Sequence, residues 1–274
     1  MKLEDAGKLS TDDRMSKYFD NVPADKQGIT LHHLLTHTAG FDHGYGRDDE
    51  VAPRDATIQL FFGKTLLTPP GEKYKYSNAG FSILTAIVEK VSGQPYEKLL
   101  NTQLFKPAGM TQTGYRLPKW DSAVVSRNYN KDKDNGPPLD RVWAPDGPHW
   151  HLFGNGGILS TTSDMFKWET ALSGEKVLSA PAKRKMFSPH APTNPEGTNH
   201  YGYGWGVRKT DRGTAVVGHT GGSSFGVWAA HFRFPDDGVV VIIGSNQVPV
   251  PGNEQGKLVD RLAELAIASG TSQD

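Results

Sequence analysis

The spacing of apolar side chains changes along the chain from a helical to a strand-like period. Residues 78 to 92 give the clearest helical pattern, because Phe81, Leu84, Ile87, Val88 and Val91 fall on one face. Weaker helical patterns cover 1 to 7 (ending at Gly7), "LSTDDRMSKYF" (9 to 19), "LHHLL" (31 to 35, with Thr30 as N-cap), 55 to 63, "QPYEKLLNTQLF" (94 to 105) and "LSTTSDMFKWETAL" (159 to 172). The first two-thirds of the chain is therefore predicted to be mainly helical.

The last third of the chain is predicted to form mainly strands. "YGYGWGVRK", "TAVVGHTGG", "FGVWAAHFRF" and "VVVIIGSN" have strand-like patterns; "PDDG" is a hairpin turn between the last two, and "LVDRLAELAI" is an amphipathic helix. Helices followed by an antiparallel sheet and a final helix predict an α+β fold. We expect one domain over 1–274, with a helical lobe and pocket loops in 1–200 and the sheet and C-terminal helix in 201–274. The turn-rich stretch 117 to 157 is expected to lie on the surface and to frame a pocket.

Composition narrows the partner to a small molecule. Thirty basic and thirty acidic residues cancel, and no cluster of Lys or Arg indicates nucleic acid or an anionic membrane surface. The chain has no cysteine, which excludes disulfides, thiolate metal sites and a cysteine nucleophile. No apolar run is long enough to span a membrane, and the first residues do not form a signal peptide. No cofactor is indicated.

The segment "YKYSNAGF", residues 74 to 81, can be interpreted in two ways. In the simpler interpretation it is a helix start, where Asn78 caps the helix and Tyr76 packs beside it. In the other it is half of a hydrolytic site, in which Tyr76 is a general base and Asn78 binds the substrate. The triplet Tyr-x-Asn is too common by chance to decide between them, so the order of other motifs must do so.

Five motifs occur in an order that resembles one superfamily. They are "LHHLLTHTAGF", "PGEKYKYSNAGF", "GNGGILSTTSDM", "GHTGG" and the terminal hairpin with its helix. Together they resemble the serine β-lactamase and penicillin-binding-protein superfamily, most of all its class C-like esterases, D-amino-acid peptidases and related hydrolases. The resemblance covers essentially the whole chain and implies a β-lactamase/transpeptidase-like fold. It also implies acyl-enzyme hydrolysis of an ester or amide bond.

The resemblance implies roles for individual residues. Tyr76 would be the base, Asn78 the substrate-binding amide and the backbone N–H of Gly222 an oxyanion donor. His219 stands where the family often has lysine, which makes that corner neutral or titratable near pH 6.5 and weakens the case for a penicillinase. The expected catalytic residues are Tyr76, Asn78, His219 and Gly222, and the expected substrate-binding residues are His37, Trp143, Trp150, Thr220 and Gly221.

The nucleophile is where the chain departs from the pattern. The family's Ser-x-x-Lys precedes the segment that matches "LEDAGKLSTDD", so we expect that motif, an N-terminal helix and two strands to be missing. Ser173 begins the one Ser-x-x-Lys string, but it ends a helix, whereas the chemistry needs a helix start. Ser224 lies in a Gly-x-Ser-x-Gly match, but that match joins two strands rather than a strand and a helix.

Other polar and aromatic residues have structural explanations. Three histidine groups, 32 with 33, 37 with 43, and 149 with 151, match no zinc spacing, so no metal is expected. His37 is expected to brace the "THTAG" turn beside the pocket. Trp143 and Trp150 are either surface aromatics or pocket wall, and the resemblance favours wall. Asp164 is expected to pair with the helix dipole.

Two functional hypotheses remain open. The chain belongs to a serine hydrolase whose Ser-x-x-Lys lies outside it, or it is a relative without a nucleophile that binds ligands or peptides. Without its neighbouring strand, "VVVIIGSN" should form an exposed sheet edge at 239–246, which is a route to self-association. The compartment is unknown; the resemblance slightly favours a periplasmic or secreted protein.

Overall fold

The fold combines short helices with one large antiparallel sheet. The computed structural model describes residues 1–140, 143–144, 147–248 and 255–270. The helices in these ranges are α1 (Lys2–Asp5), α2 (Leu31–Leu35), α3 (Arg54–Phe62), α4 (Asn78–Ser92), α5 (Tyr96–Leu100), α6 (Lys106–Ala108), α7 (Thr162–Ser173), α8 (Ala180–Phe187) and α9 (Gln255–Gly270). None of these helices has the length and apolar character that crossing a membrane requires.

The strands within the described residues form three sheets of different size. They are β1 (Asn128–Asn130), β2 (Lys133–Gly136), β3 (Trp143–Ala144), β4 (Gly147–Pro148), β5 (Ala191–Pro192), β6 (His200–Tyr201), β7 (Gly206–Lys209), β8 (Ala215–Ser223), β9 (Val227–Phe234), β10 (Val239–Ser245) and β11 (Gln247–Val248). The main sheet has six strands in the order β10-β9-β8-β7-β6-β5, and each pair is antiparallel. The strand-rich last third and the α+β class predicted from the sequence are confirmed.

One face of the main sheet packs against α9. The buried residues of this core are Val216, Trp228, Ala230, Phe234, Val241, Val259 and Ala263. Leu258, Leu262 and Leu265 of this amphipathic helix lie outside that core and are 38%, 39% and 52% exposed. Within the described residues β10 pairs with β9 alone, so it forms one edge of the sheet.

The helical lobe has its own core beneath α2, α3 and α4. The helix predicted over 78 to 92 is confirmed as α4. Its buried face is rotated from the predicted one, because Ile83, Ala86 and Ile87 are fully buried. The other residues of the predicted face are only partly buried: Phe81, Leu84, Val88 and Val91. The predicted cap of α2 is also confirmed, because Thr30 Oγ1 accepts the N–H of His33 at 3.2 Å. This core positions the start of α4, where Tyr76 and Asn78 lie.

Two predicted helices differ from the structure. Residues 9 to 19 were expected to be helical, but only a 3₁₀ turn at Met15–Lys17 forms. The backbone here bonds to the first residues of α2: Leu31 N–H donates to the Asp13 carbonyl at 2.9 Å and His32 N–H to the Thr11 carbonyl at 2.7 Å. Tertiary pairing thus replaces the local helix. The helix expected over 94 to 105 forms, but its second half is a π-helical turn, Asn101–Phe105.

Candidate active site

Ser77, rather than Asn78, caps α4. The Gly80 N–H donates to Ser77 Oγ at 3.3 Å, and the Ser77 hydroxyl donates to the Asp42 carbonyl at 2.6 Å. The simpler interpretation, in which Asn78 caps the helix, is therefore wrong. The side-chain amide of Asn78 has no hydrogen-bond partner among the described residues and lines a cavity instead.

The Tyr76 ring lies among three histidines. Its centroid is 4.2 Å from that of His37, 5.6 Å from that of His43 and 6.1 Å from that of His219. The helical lobe contributes two of these rings and strand β8 contributes the third. Tyr76 therefore lies where the lobe meets the sheet, and burial raises the pKa of its hydroxyl.

His37 is buried below Tyr76 and lines neither of the cavities described below. Its side chain is 3% exposed, and its backbone has a left-handed φ of 58°. The Ser77 N–H donates to His37 Nδ1 at 3.0 Å, so Nε2 carries the ring proton, and Nε2 has no partner in the described residues. Burial, with smaller contributions from His219 and His43, lowers the pKa of His37 to about 3. The ring is neutral and fixes the backbone directly after Tyr76.

His219 faces Tyr76 from the middle of the main sheet. Its Nε2 is 3.0 Å from the hydroxyl of Tyr201, and burial lowers its pKa below the usual value. The sequence left open whether this corner is neutral or titratable; the lowered pKa makes it neutral at pH 7. A neutral imidazole can donate or accept a hydrogen bond but supplies no fixed charge for a substrate carboxylate.

Two cavities lie beside this cluster. The His219 cavity has a volume of ≈ 320 Å³, and its lining includes Tyr74, Tyr201, Arg208, His219, Thr220 and Phe232. The Asn78 cavity has a volume of ≈ 400 Å³, and its lining includes His43, Asp48, Asn78, His151, Ser224 and Phe225. Tyr76 contacts a ring from each cavity, His219 from the first and His43 from the second. Tyr76 itself lines neither cavity.

The remaining predicted site residues are spread around this region. Gly221 and Gly222 follow Thr220 on β8, and all three are exposed. Trp150 packs against the core of the helical lobe, with its ring 5.1 Å from that of Phe153, and lines neither cavity. Trp143 lies in β3, and its side chain is outside what the structure describes. The roles given to these residues stay predictions.

The two serines that lie in motif matches, Ser173 and Ser224, occupy different parts of the fold. Ser173 is the last residue of α7, exposed, and its hydroxyl donates to the Glu169 carbonyl at 3.1 Å. Ser224 lies in the turn between β8 and β9 and lines the Asn78 cavity. Neither serine begins a helix, which the Ser-x-x-Lys chemistry requires.

The sequence reading missed two neighbours of the site. Tyr201 holds His219 from β6, and nothing in the repeated aromatics of "YGYGW" distinguishes it from a core residue. His43 stacks on Tyr76 at an interplanar angle of 28°. It had been considered only as a metal ligand, and within the described ranges no group of three or more His, Asp or Glu side chains is placed to hold a metal ion.

Comparisons with known proteins identify the family. The Beta-lactamase family profile matches residues 1–265, and the chain belongs to this family. A penicillin-binding protein of Bacillus subtilis (strain 168) is 29% identical over 239 residues, which is 80% of this chain and 51% of the relative. The chain spans about half the length of the curated relatives it matches.

Solved structures have the same fold. A penicillin binding protein from Bacillus halodurans superposes with a TM-score of 0.76 at 25% identity, covering 97% of this chain and 80% of that one. A D-stereospecific amidohydrolase from Streptomyces sp. superposes with a TM-score of 0.72 at 23% identity, covering 89% and 77%. The β-lactamase/transpeptidase-like fold expected from the motifs is therefore confirmed.

Proposed function

We propose that the chain carries the proton-transfer and substrate-orienting part of a serine hydrolase site for ester or amide bonds. Tyr76 takes the proton from the nucleophile and returns it to the leaving group, and Asn78 orients the substrate. The segment from His219 to Gly221 lines the substrate site, and the Gly222 N–H binds the oxyanion. The observation that carries this proposal is the position of Tyr76 against His219, beside an Asn78 amide that lines a cavity and has no hydrogen-bond partner in the part of the chain that the structure describes.

The proposal includes a nucleophile from outside these 274 residues. Burial raises the pKa of Tyr76, so its hydroxyl is protonated at neutral pH and cannot yet act as a base. A lysine ammonium close by would lower that pKa, and Ser-x-x-Lys supplies one a helical turn from the serine. Ser173 fits poorly, because it ends α7 and bonds to Glu169. The poor fit of Ser173 also favours the second candidate, which is a relative without a nucleophile that binds ligands without turnover.

Ester turnover separates the two candidates. The 274-residue chain should give no burst with a p-nitrophenyl short-chain ester and no serine labelling by a phosphonate, because no activated hydroxyl is present. The chain joined to the residues encoded immediately before it should gain both activities if those residues contain Ser-x-x-Lys. Absence of activity in that longer protein would favour the binding-only relative.

In the active form, Tyr76→Phe should lower turnover about a hundredfold or more, the usual scale for loss of a general base. Tyr74→Phe is the matched control, because it removes a phenol hydroxyl from the lining of the His219 cavity without changing the motif. Equal losses in the two variants would contradict the role of Tyr76.

We propose further that the β10 edge mediates self-association or accepts a strand from another segment. Val239 to Ile243 form an uncharged, β-branched run, and in the described residues only β9 pairs with it. The exposed leucines of α9 add apolar surface nearby. Every second amide of β10 points away from its antiparallel partner β9, and hydrogen exchange at these outward amides should be fast in dilute protein and slow down as concentration rises. Strong protection in a dilute monomer would contradict this proposal.

A further inference from the structure

A tyrosine on β6 holds the imidazole of His219. The Tyr201 hydroxyl lies 3.0 Å from Nε2 of His219, and the two rings meet edge to face, with centroids 5.9 Å apart and an interplanar angle of 81°. Tyr201 is buried, and its backbone is fixed on both sides, because it pairs with Ala191 of β5 and with Gly206 of β7. The hydroxyl is therefore a fixed partner of the His219 ring rather than a mobile surface group.

The direction of this hydrogen bond follows from the partners of the hydroxyl. Burial raises the pKa of Tyr201, so the phenol keeps its proton. Within the described residues, Nε2 of His219 is the one hydrogen-bond partner of this hydroxyl. If Nε2 carried the ring proton and donated it, the phenol O–H would have no acceptor there, and a buried donor without an acceptor costs free energy. The phenol therefore donates and Nε2 accepts.

The bond from Tyr201 decides what the His219 ring can do in the cleft. Burial lowers the pKa of His219, so the ring is neutral and carries one proton, which lies on Nδ1 when Nε2 accepts. A neutral imidazole has one accepting nitrogen, and Tyr201 occupies it. The ring then offers a donor but no base for a proton from the substrate or from Tyr76, whose ring centroid lies 6.1 Å away. Proton transfer is left to Tyr76.

We propose that Tyr201 is a positioning residue that fixes His219 as the Nδ1–H tautomer, so that His219 acts in the site as a neutral hydrogen-bond donor and not as a base. The action of this donor on an ester or amide oxygen rests on the proposed function. The tautomer does not, because it is a property of the chain with or without a nucleophile.

A second tyrosine and histidine pair provides the matched control. Tyr203 lies in the same "YGYG" motif and is as deeply buried as Tyr201, and its hydroxyl lies 2.8 Å from Nδ1 of His32. Each hydroxyl can be removed by a change to phenylalanine that keeps the ring. Each change therefore perturbs one histidine and spares the other.

The tautomer can be measured by long-range ¹H–¹⁵N NMR of the 274-residue chain at neutral pH, because protonated and unprotonated ring nitrogens give well-separated ¹⁵N resonances. Wild-type His219 should have a protonated Nδ1 and an unprotonated Nε2. Tyr201→Phe should shift the His219 Nε2 resonance towards the protonated position and leave His32 unchanged. Tyr203→Phe should change the His32 resonances and leave those of His219 in place. A protonated Nε2 in wild-type His219, or a His219 spectrum that Tyr201→Phe does not alter, would overturn the inference.

Turnover of the active, longer protein tests the donor role. Tyr201→Phe should lower kcat about tenfold, the scale of one positioned hydrogen bond, and Tyr203→Phe should not. His219→Asn keeps an N–H donor close to the position of Nδ1 but has no basic nitrogen, so it should keep more turnover than His219→Ala. Equal turnover in these two His219 variants would contradict the donor role and leave the hydrolase site standing. Absence of turnover in the longer wild-type protein would contradict the proposed function, and the NMR result would still decide the tautomer.

Discussion

His37 should make the stability of the protein depend on pH well above the range where carboxylates titrate. The structure lowers the pKa of His37 from its usual 6.5 to about 3, mainly by burial. The folded state therefore takes up this proton only near pH 3, whereas the unfolded chain takes it up near pH 6.5. The contribution of neutral His37 to the free energy of unfolding is therefore fully present above pH 6.5. It is lost progressively as the pH falls from 6.5 towards 3.

The size of the effect follows from the pH interval. Each pH unit below 6.5 removes about 1.4 kcal/mol while the folded ring stays neutral, so a change from pH 7 to pH 5 should cost about 2 kcal/mol. This figure requires only that the pKa of folded His37 is well below 5. Other histidines with lowered pKa, such as His32 and His219, add to the loss in the wild type and in any His37 variant alike.

The variant His37→Asn isolates the part of this pH dependence that comes from His37. Asparagine tolerates the left-handed backbone at this position, and its side-chain oxygen can replace Nδ1 as the acceptor for Ser77 N–H. The measurement is urea unfolding at pH 7 and pH 5 for both proteins. From pH 7 to pH 5 the free energy of unfolding of the wild type should fall by about 2 kcal/mol more than that of the variant. Equal losses would show that folded His37 titrates normally and would refute the reasoning.

Four further variants test the local structure by urea unfolding. Ser77→Ala removes the cap of α4 and should lower the free energy of unfolding by about 1 kcal/mol, whereas Asn78→Ala should leave it within about 0.5 kcal/mol; the reverse order would contradict the observed cap. Gly154→Ala should cost more than about 2 kcal/mol, because its Cβ would lie 1.8 Å from Thr85 Oγ1 at a φ of 87°; a neutral result would show that this loop can move. Asp164→Ala should lower the free energy of unfolding by about 3 kcal/mol, because the fully buried carboxylate accepts a hydrogen bond from Gln112 N–H at 2.6 Å. A decrease below about 1 kcal/mol would mean that water takes the place of the carboxylate.

The helices and strands were predictable where local signals agreed with the tertiary structure. The span of α4 and the capping Thr30 could be identified because helical periodicity and capping depend on residues of one helix. The hairpin of β9 and β10 was predictable for the same reason, since "PDDG" separates two apolar runs. The face of α4 that is buried could not be identified, because it is set by the segments that pack against the helix. Asp164 was expected at the helix dipole, and it does lie in the first turn of α7, but it also accepts hydrogen bonds from Gln112 and Thr113 in the loop after α6.

Features that depend on distant residues were not predictable from one sequence. The parallel pairing of Tyr129 with Gln247 joins positions far apart in the chain, and no local pattern indicates it. The segment 9 to 19 was wrongly predicted as a helix for the same reason. At the site, motif order indicated Tyr76 and His219. The stacking of His43 on Tyr76 forms only when the loop after α2 is folded over the start of α4.

The most direct test of the central claim is phosphonate labelling of the natural protein, isolated from its source, followed by peptide mass spectrometry. The account predicts one labelled serine in a Ser-x-x-Lys motif outside residues 1–274, with labelling slowed about a hundredfold or more by Tyr76→Phe. Labelling at Ser173 or Ser224, or a rate that Tyr76→Phe leaves unchanged, would contradict it.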